Sequence, residues 1–186
     1  MTPLFTVHGR AYRLDRDNVD TDAIVAAEHL KTISRSGLGR FAFAALRAEP
    51  GNAFDEPQLA GAPILVAGSN FGCGSSREHA VWALVDLGIR AVVAPSFSDI
   101  FAANAYKNGL LTVALDRARI GLLMALDPAE PMTIDVETMR LSSPAGCFRF
   151  ALDPFRRACL LQGVDEIALT LASEPGIRAY ELRTGV

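Results

Sequence analysis

The sequence predicts an α/β domain with a central parallel sheet and a smaller antiparallel layer supplied by both ends of the chain. Three observations predict it. Between residues 63 and 126 short apolar runs alternate with helical stretches, as in βαβ units. Two of those helical stretches close on turn signals, Gly88 and Asn108-Gly109. From 132 to 152 the apolar residues alternate around the turn-forming Ser142–Gly146 segment, which fits an antiparallel hairpin. The chain has 186 residues, half of them hydrophobic, enough for one domain over 1–186 with a sizeable core.

Phe5–Leu14 alternates loosely and is expected to be the first strand. Asp15–Asp22, DRDNVDTD, is a polar turn with four aspartates, followed by the apolar piece Ala23–Ala27. Lys31–Gly39, KTISRSGLG, is a Ser- and Gly-rich loop, and Phe41–Arg47 is expected to be helical. Glu49–Gly61 carries two prolines, two glycines and three acids, which predicts a flexible connection outside the core. The loops near 31–39 and 49–61 are thus the expected flexible segments. Pro63–Ala67, Arg90–Ala94 and Leu110–Leu115 are the three buried strands. Ser76–Leu87, Phe97–Lys107 and Arg117–Leu126 are the helices that alternate with them. Met132–Leu141 and Cys147–Leu152 form the hairpin, and Phe155–Gln162, Val164–Leu171 and Ile177–Leu182 are short C-terminal helices.

Composition narrows the function classes. Eighteen basic and 21 acidic residues leave a net charge of −3, without the basic stripe that a nucleic acid or an anionic membrane surface calls for. No apolar run approaches a membrane span, and Met1–Arg10 lacks the basic-then-apolar order of a secretion signal, so a cytoplasmic protein is expected. The three cysteines, Cys73, Cys147 and Cys159, are widely spaced and form neither a CxxC pair nor a zinc pattern. Cys147 and Cys159 lie among apolar neighbours and are expected to be buried as small hydrophobes.

The segment that carries chemistry is GSNFGCGSSREHA, Gly68–Ala80. It follows a buried strand and opens a helix, the place where ligands gather in open α/β sheets. Gly68, Gly72 and Gly74 allow close backbone approach, and Ser75, Ser76 and Arg77 follow at the expected helix start. Ser75-Ser76-Arg77-Glu78 also fits a capping box, with Ser75 as N-cap and Glu78 three residues on. Neither G-x-x-x-x-G-K-[ST] nor G-x-G-x-x-G is present, so a small carboxylate fits this segment better than a nucleotide.

FGCGSSREHA resembles the signature of the swivelling domain of the aconitase superfamily, and Cys73 resembles its isopropylmalate dehydratase branch. DNVDTDAIV (17–25), LKTISRSGLG (30–39), PSFSDIF with NAYKNGLL (95–111) and DPFRRACLLQGVDEIALTL (153–171) extend the resemblance over most of the chain. It implies a swivelling β/β/α three-layer domain, the small subunit of a hydro-lyase that isomerises a hydroxy-dicarboxylate by dehydration and rehydration, here 2- and 3-isopropylmalate in leucine biosynthesis. A related dehydratase acting on citraconate/methylmalate or homocitrate, or a non-catalytic ligand-binding module of the same fold, are the alternatives. The resemblance further implies that this chain binds no cofactor. The large partner subunit would carry a [4Fe–4S] cluster, whose iron is the Lewis acid for the leaving hydroxyl.

By motif position Ser75 is implied to be the general base, with Ser76 and Arg77 binding substrate carboxylate. Asp22 matches an active-site aspartate, Arg35 lies in the loop that reaches over the substrate, and Leu30 lies with His29 and Lys31 in the segment that reads the substrate's side group. Asp15 and Asp17 are expected only to satisfy the turn, with Asp20 open. His79 is expected to be a structural hydrogen-bonder and Cys73 a packing residue, while His8 has no functional case. The alanine-rich Phe41–Gly61 stretch is shorter than the family's usual acidic and aromatic one.

Overall fold

Two four-stranded sheets share one apolar interface in the computed structural model, which describes residues 1–185. The parallel sheet runs β2 (Ala11–Leu14), β3 (Ile64–Ala67), β4 (Ala91–Ala94), β5 (Leu111–Ala114), in that order. The antiparallel sheet has the order β1 (Thr6–Gly9), β6 (Met132–Asp135), β7 (Arg140–Ser143), β8 (Gly146–Arg149). β3 and β4 read ILVA and AVVA and are buried throughout, as central parallel strands covered on both faces require.

Strand alternation sorts the core into two layers. Tyr12, Leu14, Leu65, Ala67, Val92 and Ala94 face α3 (His79–Leu87) and α4 (Asp99–Lys107) together with the segment that precedes β3. Ile64, Val66, Ala91, Val93, Leu111 and Val113 face the other way, onto Val7, Met132, Ile134 and Leu141 of the antiparallel sheet. α5 (Arg117–Met124) and α6 (Pro154–Gln162) add Ile120, Leu123, Cys159 and Leu160 to that second layer. The result is a three-layer helix–parallel sheet–antiparallel sheet fold, the α/β architecture the sequence predicts. α7 (Glu166–Ala172) and α8 (Glu174–Thr184) follow, and neither contains a buried residue. No helix among the described residues is long and apolar enough to cross a membrane.

Several elements depart from the sequence reading. The single strand expected over Phe5–Leu14 is two strands in different sheets, and the chain changes sheets at Gly9-Arg10. Gly9 makes the change possible: its φ is +152°, and a Cβ there would lie 2.7 Å from Cδ of Pro63. Met132–Leu141 is likewise two strands, because Val136–Met139 turns the chain with Met139 in the left-handed region and Asp135 Oδ1 accepting the Thr138 N–H. The helix expected over Phe41–Arg47 shrinks to one turn, α2 (Ala44–Arg47), since Phe43 is itself left-handed at φ 57°. A second one-turn helix, α1 (Thr21–Ile24), falls inside the aspartate-rich segment.

The 49–61 segment is not outside the core. Two 3-10 turns, Ala53–Asp55 and Pro57–Leu59, bury Phe54 and Leu59. The Phe54 ring lies 4.4 Å from that of Phe43 and 5.1 Å from that of Tyr12, centroid to centroid. Asn52 builds the first turn, accepting the N–H groups of Phe54 and Asp55. Burying a phenylalanine in this way stabilises by roughly 1.5–3 kcal/mol. Cys159 is buried as expected, but Cys147 is exposed. It stands opposite Ser142 on edge strand β8, on the face turned away from Leu141 and Phe148.

Candidate functional site

The carboxyl ends of β2, β3 and β4 carry the loops that build the site. Beyond β2 and β3 the backbones stay paired: Gly68 N–H donates to Arg16, Asn18 N–H to Ser69, Gly72 N–H to Val19 and Thr21 N–H to Cys73, over 2.8–3.1 Å. The aspartate-rich segment therefore runs beside the glycine loop, although about fifty residues separate them. The β4 end joins through Phe71 N–H to the Ser96 carbonyl, 3.0 Å, and Asn70 N–H to Ser96 Oγ, 2.8 Å. Phe71 is fully buried edge-to-face against Phe101, with ring centroids 5.3 Å apart. Gly72 passes so close to this cluster that a Cβ would lie 2.2 Å from Cγ of Phe101, at a φ of +75°.

The aspartates divide their work. Asp17 accepts from the Ser69 N–H at 2.6 Å and from Arg117 Nη2 at 2.7 Å. The Arg117 hydrogen bond, then the Ser69 backbone bond, holds its carboxyl below the ordinary range. Asp20 caps α1, taking the Ala23 N–H at 2.7 Å. Asp22, in the first turn of α1, forms an ion pair with Nη1 of Arg77. Asp15 is exposed.

Ser75 does not cap a helix. α3 begins at His79, its flanking residue Glu78 already has helical dihedrals, and no side chain caps it. The expected capping box is absent because the Ser75 hydroxyl is held elsewhere: Ser75 Oγ lies 2.9 Å from Thr21 Oγ1, which also accepts the Ser75 N–H at 3.2 Å. Glu78 turns its carboxylate away, accepting from Asn108 Nδ2 at 2.7 Å and Trp82 Nε1 at 3.3 Å. Ser75, Arg77 and Asp22 are thus brought together. Ser76 lies between Ser75 and Arg77 with its side chain exposed and its carbonyl 3.4 Å from Asn104 Nδ2.

Arg35 and Leu30 are placed differently. Arg35 lies over the Trp82 ring, 5.5 Å from its centre, and Leu30 packs half-buried on the helical side of the core. The 31–39 loop rests along one stripe of α3, at positions spaced three and four apart. His79 Nε2 lies 3.0 Å from the Thr32 carbonyl, Trp82 carries Arg35, and Asp86 accepts the N–H groups of Gly37 and Gly39 at 2.9 and 2.6 Å. His29 stacks on Phe41, and His8 pairs with Thr133 across the antiparallel sheet. Sequence reasoning passed over Thr21, Trp82 and Asp86. The signal for Thr21 was its place beside Asp22 in a segment otherwise made for solvent.

The side chains do not fit an iron–sulfur cluster. Cys73 sits in the glycine loop, Cys147 in β8 and Cys159 in α6, and among the described residues no group of three or more His, Cys, Asp or Glu could hold a metal ion.

Comparison with known proteins gives consistent likenesses. Residues 1–118 match the family model described as the aconitase C-terminal domain. The 3-isopropylmalate dehydratase small subunit of Novosphingobium aromaticivorans is 54% identical over 98% of this chain and 91% of its own length. The protein of the same name from Zymomonas mobilis is 53% identical over 94% of this chain and 92% of its own. The crystal structure of 3-isopropylmalate dehydratase from Methanocaldococcus jannaschii superposes with a TM-score of 0.73 at 27% identity, covering 94% of this chain and 99% of that one.

Proposed function

The chain belongs to the aconitase C-terminal domain family, in its branch of 3-isopropylmalate dehydratase small subunits, and on that premise we propose that it serves a hydro-lyase interconverting 2- and 3-isopropylmalate, with Ser75 as general base. The observation that supports the residue assignment is the docking of the Thr21-Asp22 turn on Ser75–Arg77, sealed by the Asp22–Arg77 ion pair. Arg77 has five N–H donors in a planar fork. Asp22 takes one of them and fixes the side chain, leaving the others for a substrate carboxylate in bidentate fashion. Ser76, exposed beside it, offers a further donor. Ser75 takes the carbon-bound proton during dehydration, its O–H bond forming as the C–H bond breaks, and returns it during rehydration.

A serine hydroxyl is a weak base in water and needs a site that favours its ionised form. Half-burial of Ser75 by itself disfavours that form, so positive charge must offset it, and Arg77, two residues on and fixed by Asp22, is a cation of this segment. Closure by a large partner subunit would exclude the remaining water. That partner is the proposed home of the [4Fe–4S] cluster, which supplies the Lewis acid for the departing hydroxyl. Soluble expression in the cytoplasm follows from this role.

The test is Ser75→Ala in the assembled two-subunit enzyme. Losing a general base lowers kcat by about 10²–10⁴-fold. The melting temperature falls only modestly, because Ser75 caps no helix and the loss is that of one hydroxyl pair with Thr21. Near wild-type turnover would remove Ser75 from the mechanism. Faster turnover of citraconate/methylmalate or homocitrate than of isopropylmalate would overturn the substrate assignment, and turnover by this chain without a partner would overturn the division of labour.

A further inference from the structure

Thr21 is a buried polar side chain, 1% exposed. It lies in the helical turn that carries Asp22, and its backbone N–H is committed to the Cys73 carbonyl at 2.9 Å. A threonine hydroxyl has one proton to donate and two lone pairs. One lone pair receives the Ser75 N–H at 3.2 Å. The oxygen within reach of the proton is Ser75 Oγ, 2.9 Å away, and burial keeps solvent from offering another acceptor. A buried donor left unused is costly, so the hydroxyl pair resolves in one direction, with Thr21 donating to Ser75.

We propose that Thr21 is a positioning residue for the reaction: its hydroxyl holds Ser75 at both backbone and side chain and donates the hydrogen bond that favours the deprotonated Ser75 oxygen. The inference rests on the reading of Ser75 as the base. Thr21 touches neither substrate nor partner in this scheme and acts only through Ser75. With Thr21 as the donor, the Ser75 proton is directed away from Thr21. As Ser75 loses it, the bond from Thr21 becomes charge-assisted and strengthens. Its donor is already aimed, so no reorganisation is needed when the charge develops.

The experiment compares Thr21→Val, which keeps the shape and removes the hydroxyl, with Thr21→Ser, which keeps the hydroxyl, both assembled with the large subunit. Thr21→Val is expected to lower kcat by about 100-fold, as loss of one donor to a developing oxyanion does, with KM within about twofold. The rising limb of kcat against pH should move to higher pH, because the base ionises less readily. Thr21→Ser should restore both. In a Ser75→Ala background Thr21→Val should cost nothing more. Should the valine variant fail to assemble, Thr21→Cys, with a weak donor of small volume, is expected to fall between the serine variant and the loss predicted for valine in the same readouts. A valine or cysteine variant with wild-type kcat and an unmoved limb overturns the inference, as does an undiminished loss in the Ser75→Ala background. Ser75→Ala with normal turnover instead overturns the base assignment, and the two failures are told apart by that single variant.

Discussion

The imidazole Nε2 of His79 meets the backbone carbonyl oxygen of Thr32 at 3.0 Å, so the first residue of α3 holds the loop that separates the aspartate-rich segment from the body of the fold. Seven residues on, Asp86 takes two N–H groups from the far end of the same loop, those of Gly37 and Gly39. The loop contains Lys31 and Arg35, both exposed, and Ile33, whose side chain is 98% exposed. Leu38, at its far end, is buried in the core, so the order of the exposed stretch before it depends on these contacts with α3.

Removing either anchor should therefore expose the loop without unfolding the chain. His79→Ala and Asp86→Ala are expected to speed tryptic cleavage after Lys31 and Arg35 several-fold. Losing the acceptor for two backbone N–H groups costs about 1–3 kcal/mol, so Asp86→Ala should be the more sensitive. Digestion time courses with mass readout measure this, and wild-type cleavage rates in both variants would contradict the anchoring.

Asp22 and Arg77 give a different separation of stability from activity. The Asp22 side chain is 56% exposed, and ion pairs in such positions contribute about 0–1 kcal/mol. Asp22→Ala should leave the melting temperature nearly unchanged. It should raise KM for the hydroxy-dicarboxylate about tenfold or more, because the guanidinium is no longer fixed for bidentate binding. Steady-state kinetics beside thermal melting of the assembled enzyme checks both, and an unchanged KM would detach the pair from substrate binding.

Phe54 tests the role of the alanine-rich stretch. Its ring is stacked on Phe43 and tilted against Tyr12, and it is buried. Phe54→Ala is expected to lower unfolding stability by about 3 kcal/mol or more. Denaturant titration measures it, and a loss under about 1 kcal/mol would return 49–61 to the periphery.

Three carboxyls are expected to contribute to acid sensitivity. Asp17 is held low first by the hydrogen bond from Arg117, Asp55 first by that from Asn52, and Asp135 first by the Thr138 backbone N–H. A carboxyl with a folded pKa below its unfolded value stabilises the fold above the unfolded value, near about 4, and that stability is lost as pH falls through the lowered one. The melting temperature should fall as pH drops from about 5 to about 2. Asp135→Asn should make that fall shallower, since one linked group is gone. A wild-type melting temperature that holds or rises over that interval would contradict the linkage.

The class of fold is legible in the sequence, and so is the segment proposed to carry its chemistry. The βαβ alternation, fully apolar β3 and β4, and the glycine loop after β3 are local patterns, and each follows from the period of apolar residues and the freedom of glycine. The motif resemblance likewise singles out Ser75, Arg77 and Asp22. Only the tertiary structure decided what those residues do to one another. Nothing in GCGSSREHA says that Ser75 is drawn off its helix by Thr21, because a capping box and a hydroxyl pair start from the same letters. Nothing in Phe5–Leu14 marks Gly9 as the point of exchange between two sheets, because the reason is Pro63, more than fifty residues away. Arg35 sits on Trp82 and Phe54 on Phe43 for the same reason: contacts between distant segments are fixed by the packing of whole elements, and a single segment's periodicity carries no record of its partner.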